Sequence, residues 1–281
     1  MERRAFFFGL VVALSVRGGE FPRRIVSLSP DVTEMLYGMG AFGQVVGVSD
    51  YCTYPPEAAR LPSVGGWANP SLEKLAALRP DLVVTDVAQG AIVEPNIKAV
   101  GLKLLTVPDR GVNDVYVAMG ELGRATGHEE AAAKLIATTR EGLQAIARRV
   151  AGRPVSSVIL IIDRTPGTLA DLYTVSAGSY LAELVTIAGG RIAAPKDQRG
   201  YGKLSKEDLL AINPDVILDF VHGAPSRLAA DPIEPWREMP ELKAVQTHRV
   251  YGVNEEYVPH ASQRMVKTAE LFARLIHSEI K

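Results

Sequence analysis

Apolar and polar residues follow the same order twice along the chain, at positions that differ by 134. Residues 71–84 read SLEKLAALRPDLVV, and residues 205–218 read SKEDLLAINPDVIL. Each copy begins with a serine suited to cap a helix, continues with apolar residues at helical spacing, and reaches Pro-Asp, where a helix is expected to end. The aliphatic residues that follow predict a buried strand. The repeat therefore predicts two similar lobes, each with a glutamate in the first turn of a helix.

The other apolar runs predict strands that alternate with helices. Helices are predicted from Ser29-Pro30-Asp31 to the glycines at 38 and 40, over 179–190 and over 263–280. A weaker echo links the first two of these helices, because Thr33-Glu34-Met35-Leu36 resembles Ala182-Glu183-Leu184-Val185. Alternation of this kind indicates the α/β class with mostly parallel sheets. The predicted strands are 24–28, 45–48, 82–85, 102–107, 157–162, 216–220 and 249–253.

A long helix is predicted between the two halves, over residues 128–150, and it ends before Gly152-Arg153-Pro154. At 1.5 Å per residue it would be roughly 35 Å long, and such a helix would be a rigid connector between lobes. The alternative is an ordinary packed surface helix. The predicted division is a signal segment over 1–20, an N-terminal α/β lobe over 21–127, a connecting helix over 128–152 and a C-terminal α/β lobe over 153–281.

The first residues have the pattern of an export signal. Arg3 and Arg4 precede an uncharged, mostly apolar run over residues 5–16, which is too short to span a bilayer. We therefore expect export, against the alternatives of a wrongly assigned start or a retained anchor. No cysteine follows the run closely, so a lipid anchor is not expected there.

Composition excludes several function classes. Of 281 residues, 47% are hydrophobic and 22% are charged, and the net charge of −1 gives no basic surface for nucleic acid. Cys52 is the only cysteine, so an internal disulfide and multi-cysteine metal sites are excluded. No phosphate-binding loop or nucleophile arrangement is recognisable, and no metal site, cofactor or enzymatic activity is expected. The histidines lack metal-ligand spacing; they are His128, His222, His248, His260 and His277.

Aromatic residues stand where open α/β sheets bind ligands, after the strands. Trp67 and Tyr201 each lie six residues before the glutamate of their copy of the repeat, so they occupy equivalent positions in the two lobes. Two rings that face each other across a cleft suit a large, flat, partly apolar ligand, and simple packing is the alternative. The other candidates that follow strands are Tyr51, Tyr173, Glu256 and Tyr257.

Glu73 and Glu207 have two interpretations. Acidic residues in a first helical turn are favoured by the helix dipole, which would explain both. Alternatively, equivalent glutamates on two lobes form a matched pair of contacts for a partner with twofold symmetry, each meeting an arginine.

These motifs together resemble a known family. The segments Arg24-Ile25-Val26-Ser27-Leu28-Ser29-Pro30, Tyr54-Pro55-Pro56-Glu57 and Gly65-Gly66-Trp67, with both Pro-Asp repeats, resemble the periplasmic binding proteins of ABC importers for cobalamin, siderophores and haem. The resemblance implies two α/β lobes joined by one rigid helix, as in class III periplasmic binding proteins. It also implies a metal chelate bound between the lobes.

Within that family the cobalamin-binding branch is most similar. The resemblance implies ligand contacts by Tyr51, Trp67 and Tyr201, with Tyr173 and Glu256 near further contacts and Asp86 where that branch can have another aromatic residue. The haem branch has an iron-binding tyrosine just before the Trp67 position, where Gly66 stands here.

The resulting hypothesis is a monomeric, non-catalytic receptor that binds a corrinoid, cobalamin, and delivers it to a dimeric permease with cytoplasmic ATPase subunits. Glu73 and Glu207 match the family's docking positions. One alternative is a ferric siderophore or haem receptor, for which Arg110, Arg164 and Arg199 would supply positive charge. A less favoured alternative is an enzyme or metallocluster scaffold on the same fold.

Overall fold

The N-terminal lobe is built around four parallel strands in the order β2-β1-β3-β4. The computed structural model describes residues 21–195, 198–220 and 233–278, so the predicted signal segment, His222 and the end of the last predicted helix lie outside the described residues. In chain order, the elements of this lobe are β1 (Ile25–Ser27), α1 (Pro30–Gly38), β2 (Val45–Val48), α2 (Leu72–Leu78), β3 (Leu82–Asp86), α3 (Val87–Ala99), β4 (Leu104–Val107) and α4 (Val112–Thr126).

Helix α5 (Glu129–Val150) then leads to the C-terminal lobe, which contains a six-stranded sheet. Its path is β10-β9-β5-β6-β8, and β7 pairs with β5. In chain order, the elements are β5 (Ser156–Asp163), β6 (Tyr173–Val175), α6 (Tyr180–Ile187), β7 (Gly190–Ile192), β8 (Tyr201–Lys203), α7 (Lys206–Ile212), β9 (Val216–Phe220), α8 (Lys243–Gln246), β10 (Val250–Val253) and α9 (Met265–Ile276).

The predicted α/β class, with two lobes, mostly parallel sheets and a long helix between them, is confirmed. The seven predicted strands are all present, with ends shifted by up to two residues. Three further strands, β6, β7 and β8, were not predicted, and β6 runs antiparallel to both β5 and β8. Each of the three has only three residues, too few to show an alternating pattern.

The repeated Pro-Asp segment has the same structural role in both lobes. Arg79 and Asn213 end α2 and α7 in the left-handed conformation, at φ of 45° and 44°. Two residues later, Asp81 Oδ2 accepts hydrogen bonds from the backbone N–H of Arg23 and Arg24, at 2.8 and 2.9 Å. Asp215 Oδ2 accepts from the backbone N–H and the hydroxyl of Ser157, at 2.7 and 2.8 Å. Each aspartate therefore fixes the start of the neighbouring strand.

Helix α5 packs against α4 of one lobe and against α6 and α9 of the other. Its buried face includes Leu143, Ile146 and Val150, and its other face is exposed. It is therefore a connector that is itself part of the core between the lobes; the residue boundaries of the lobes stay a proposal. No helix in the described ranges has the length and apolar character needed to cross a bilayer.

Candidate ligand-binding cleft

A cavity of about 1030 Å³ opens between the lobes. Its N-terminal wall is formed at and just after the carboxyl ends of β1, β2, β3 and β4, where parallel sheets bind ligands, and by Trp67 from the longer segment between β2 and α2. Its opposite wall comes from residues 173, 178–180 and 199–201, and residues 259–261 complete the lining. The cavity is therefore placed where both lobes contribute.

Aromatic rings line both walls. Tyr51 and Trp67 are on the N-terminal side, and Tyr173 and Tyr201 are on the C-terminal side. Tyr51, Tyr173 and Tyr201 keep 59%, 38% and 41% of their surface exposed, which is unusual for rings and leaves area for a ligand to bury. Tyr180 also lines the cavity, but it is buried and its hydroxyl donates to Val258 O.

Three aspartates lie on the N-terminal wall, and we call them the acidic wall: Asp31, Asp86 and Asp109. Burial, followed by the charge of Asp86, raises the pKa of Asp31 to about 7. The same two causes raise the pKa of Asp109 to about 6. Burial also raises the pKa of Asp86, whose Oδ1 accepts from Gln89 N at 2.7 Å and caps α3. Asp86 therefore has a structural task in addition to its place in the cleft.

Asp31 and Asp109 were not among the sequence candidates. Each lies in a segment that follows a strand of the parallel sheet, and this position in the sequence is enough to identify both as candidates for the binding site. In the sequence, Asp31 indicates only the start of a helix, because the helix dipole favours aspartate at that position. Of the basic candidates, Arg110 and Arg199 line the cavity, whereas Arg164 is buried and its Nε donates to Asp219 at 2.9 Å.

Two candidates, Glu256 and Tyr257, are not part of the cavity lining. Glu256 receives two hydrogen bonds from Arg264, at 2.6 and 3.0 Å, and the Tyr257 ring lies 5.1 Å from the same guanidinium. Arg264 also donates to Glu34 Oε1 at 2.8 Å, and His260 Nδ1 lies 2.8 Å from that oxygen. We call Glu34, Glu256, His260 and Arg264 the interlobe cluster.

The interlobe cluster joins the lobes and has the donor set of a metal site. Oxygen and nitrogen atoms of Glu34, Glu256 and His260 lie within 4.8 Å of one another. The Arg264 guanidinium already supplies positive charge to both carboxylates, so the arrangement is that of an ion-paired cluster. Glu34 is fully buried and belongs to α1 of the N-terminal lobe, whereas the other three come from the C-terminal part of the chain.

A second contact crosses between the lobes in the opposite direction. Glu183, in α6 of the C-terminal lobe, accepts a hydrogen bond at Oε2 from the backbone N–H of Val112, at 2.9 Å. Val112 is the first residue of α4, where helix N–H groups lack partners. Glu34 and Glu183 are the glutamates of the weaker sequence echo, so each lobe extends one such glutamate to the other.

Glu73 and Glu207 are exposed on the first turns of α2 and α7. Other residues cap both helices: Ser71 accepts from Lys74 N, and Ser205 forms a reciprocal pair of hydrogen bonds with Asp208. The side chains of Glu73 and Glu207 are thus not needed for capping.

A cavity of this size at the strand ends, lined by aromatic rings and a few polar groups, is typical of a small-molecule binding site. The family model described as periplasmic binding protein matches residues 25–257, so the chain belongs to that family. Its fold is that of class III periplasmic binding proteins. Members of the family bind and deliver solutes, and this chain is the substrate-binding component of an ABC importer.

Individual relatives differ in their names. An uncharacterized ABC transporter substrate-binding lipoprotein of Bacillus subtilis (strain 168) is 30% identical, over 92% of this chain and 81% of that protein. A vitamin B12-binding protein of Pectobacterium carotovorum subsp. carotovorum (strain PC1) is 24% identical, over 89% of this chain and 86% of that protein. A solved periplasmic haem-binding protein of Pseudomonas aeruginosa has a TM-score of 0.79 at 21% identity, covering 92% and 94% of the two chains. At that identity the likeness shows the fold alone.

Proposed function

We propose that this protein binds a corrinoid, cobalamin, in the interlobe cleft and delivers it to a membrane permease. The observation that carries the proposal is the pair Trp67 and Tyr201, which line opposite walls of the same cavity. Flat, partly apolar ligands are held by rings that stack on them and bury their faces. Tyr51 and Tyr173 extend each wall in the same manner.

The size of the cleft supports a bulky ligand. A volume of about 1030 Å³ lies at the upper end of small-molecule sites, which run from roughly 300 to 1,000 Å³. The vitamin B12-binding relative supports the same choice. Gly66 offers no side chain for iron at the position before Trp67, which disfavours haem.

A titration decides between corrinoid and iron chelate. We expect purified protein to bind cyanocobalamin stoichiometrically in calorimetry, more tightly than haem or a ferric hydroxamate, and to release it chemically unchanged. Tight binding of only an iron chelate would overturn the corrinoid choice, and recovery of an altered ligand would support the enzyme alternative instead.

Delivery is proposed to use Glu73 and Glu207, each contacting one subunit of a dimeric permease that carries cytoplasmic ATPase subunits. The two glutamates are exposed, and capping does not need them. Rim charges of this kind act through electrostatic complementarity with the partner. The binding protein itself is proposed to act as a monomer, since the two lobes together present both contacts.

The docking proposal is tested with the double variant Glu73→Ala/Glu207→Ala in a reconstituted importer. We expect transport to fall at least tenfold while ligand affinity stays unchanged. Glu130→Ala/Glu141→Ala, on exposed positions of α5, removes the same charge and serves as the control. Equal transport by both double variants would refute the docking role.

Export to the periplasm without a lipid anchor is also proposed, although the relative from Bacillus subtilis is named a lipoprotein. Cys52, the only cysteine, is buried in the N-terminal lobe and is therefore not available for acylation in the folded protein. Cell fractionation is expected to recover the protein in the soluble periplasmic fraction. Recovery with the membrane after a high-salt wash would contradict this.

A further inference from the structure

The acidic wall is the most distinctive chemical feature of the cleft that the aromatic residues do not explain. Its carboxylates come from the carboxyl ends of three strands of the same sheet: Asp86 is the last residue of β3, and Asp31 and Asp109 lie just after β1 and β4. They are close enough for the charge of Asp86 to act on both Asp31 and Asp109. Asp31 and Asp86 are only 7% and 5% exposed, yet both line the cavity.

The other buried carboxylates of the described residues form ion pairs with arginines, whereas Asp31 and Asp86 form none, and Arg110 acts on the partly buried Asp109 only from beyond ion-pair distance. Glu34 is paired with Arg264, and Asp219 is paired with Arg164. In the part of the chain that the structure describes, no ion pair joins the acidic wall to a lysine or arginine within 4.0 Å. The buried hydroxyl of Ser29 lies near Asp31 and Asp86 but makes no hydrogen bond of good geometry in the described structure, and its one proton could serve only one of them at a time.

A ligand that enters the cleft removes water from these groups. A carboxylate that loses water without gaining a hydrogen-bond donor or a positive charge is strongly unfavourable. A ligand that supplies that partner is therefore favoured over one that leaves these groups to take up protons. Arg110, Arg199 and His260 also line the cavity, but none forms an ion pair with the acidic wall in the described structure.

We propose that the acidic wall is a subsite that accepts hydrogen bonds from amide N–H or cationic groups on the ligand periphery and excludes ligands with carboxylates there. This inference rests on the proposed corrinoid function and extends it to the part of the ligand that is recognised. The side chains around a cobalamin ring end in primary amides, which are donors. The propionates of haem and the charge of a ferric tricatecholate would instead meet like charge.

The test compares two corrinoids of the same shape. One is cyanocobalamin, and the other is its analogue with side-chain amides hydrolysed to carboxylates. We expect wild-type protein to bind the amide form at least a hundredfold more tightly. Asp31→Asn and Asp109→Asn are each expected to weaken cyanocobalamin binding about tenfold and to strengthen binding of the carboxylate analogue by a similar factor, as expected for a charge-assisted hydrogen bond.

Glu130→Gln, on the exposed face of α5, makes the same change of net charge outside the cleft and is expected to alter neither affinity. Thermal unfolding of each variant checks that the fold is retained. The subsite proposal is overturned if Asp31→Asn and Asp109→Asn change the affinities for both corrinoids in the same direction, or change neither.

Failure of the corrinoid function is separable from failure of the subsite. If wild-type protein binds no corrinoid, the same variants are titrated with a ferric trihydroxamate that carries a free ammonium group and with an anionic ferric tricatecholate. If wild-type protein prefers the cationic chelate, and Asp31→Asn and Asp109→Asn reduce that preference, the subsite stands but recognises a different ligand. Preference for the anionic chelate or for haem would refute it.

Discussion

The two lobes share their framework and differ in the walls they present to the cleft. Ser71 and Ser205 cap equivalent helices, and Asp81 and Asp215 fix the starts of equivalent strands. The two walls of the cleft differ, however. The N-terminal lobe presents the acidic wall on an all-parallel sheet, whereas in the C-terminal lobe Tyr173 and Tyr201 come from antiparallel strands. The two lobes are therefore alike in the contacts that stabilise each of them and different in the surfaces that line the cleft.

The largest effect is expected where the lobes meet. Arg264→Met would leave Glu34 fully buried without its cation, so we expect a loss of about 3–5 kcal/mol in the free energy of unfolding, measured in urea. Arg149→Met is the matched control, because Arg149 and Glu270 form a partly exposed pair worth below about 1 kcal/mol. Similar losses in both variants would show that the interlobe cluster does not fix the lobes.

The second prediction concerns the paired rings. Trp67→Ala and Tyr201→Ala are each expected to weaken binding of cyanocobalamin roughly ten- to thirtyfold, because a stacked ring contributes about 0.5–1.5 kcal/mol beyond its buried area. Calorimetry measures the affinities. Tyr116→Ala, a half-buried position outside the cleft lining, serves as the control. A loss in only one of the two variants would mean that a single wall holds the ligand.

The third prediction tests the equivalence of the frameworks. Asp81→Ala and Asp215→Ala each remove hydrogen bonds at a strand start, so each is expected to lower the free energy of unfolding by about 1–2 kcal/mol. Asp215 also pairs with Lys243, and the loss there is expected to be the larger one. Denaturant unfolding of the two variants checks both statements. If either substitution leaves the free energy of unfolding almost unchanged, the two aspartates do not have equivalent roles in the two lobes.

Asp215 also predicts a dependence of stability on pH. Although burial opposes it, hydrogen bonds from Lys243 and Ser157 lower the pKa of Asp215 to about 2. Because the pKa is lower in the folded state, the stabilisation is complete above about pH 4 and is lost as the pH falls towards 2. Asp215→Asn is expected to lose less stability over this interval than wild type, and an unchanged loss would contradict the assignment.

The smallest effect is the pH dependence of ligand binding. Burial and the charge of Asp86 raise the pKa values of Asp31 and Asp109 to about 7 and about 6, so both are partly protonated near neutral pH. A ligand that donates to them favours the ionised form, so affinity is expected to rise severalfold from pH 5.5 to 8. Asp86, Arg110, His260, Tyr180 and Tyr201 face the same cavity.

Calorimetry in two buffers of different ionisation enthalpy is expected to detect proton release on binding at pH 6.5. Without ligand, the same raised pKa values make the folded state bind more protons than the unfolded chain, so stability is expected to fall as pH rises from about 4 to 7. Affinity that increases as the pH falls would indicate that an anionic ligand is bound by the acidic wall instead.

The sequence predicts the framework well because its determinants are local. The Pro-Asp repeat contains the cap, the apolar helix face and the strand within 14 residues. The short strands β6 and β8 escape the same reasoning, since Tyr201-Gly202-Lys203 has no buried residue to reveal a pattern. Antiparallel pairing between β6 and β8 depends on partners more than 20 residues apart, which periodicity does not report.

The cleft is predicted only in part. Tyr51, Trp67, Asp86, Tyr173 and Tyr201 line the cavity, and their contact with a ligand stays a prediction. Tyr51 and Tyr173 are candidates because they follow predicted strands, Trp67 and Tyr201 because they hold equivalent positions before the repeated helices, and Asp86 only through the family resemblance. Glu256 and Tyr257 also follow a strand, but Arg264 engages both. That arginine meets Glu34 across 230 positions of sequence, and no local pattern contains such a contact.

The contacts between the lobes described above are unequal in strength. A packed helix α5 and the interlobe cluster both require buried surface or buried charge to be exposed before they separate. The contact between Val112 and Glu183 is one hydrogen bond, donated by the backbone N–H of Val112 to an exposed carboxylate. We therefore expect separation of the lobes to begin at this contact, so that the side of the cleft next to Asp109 and Arg110 is the part that a permease would widen at the lowest cost in free energy.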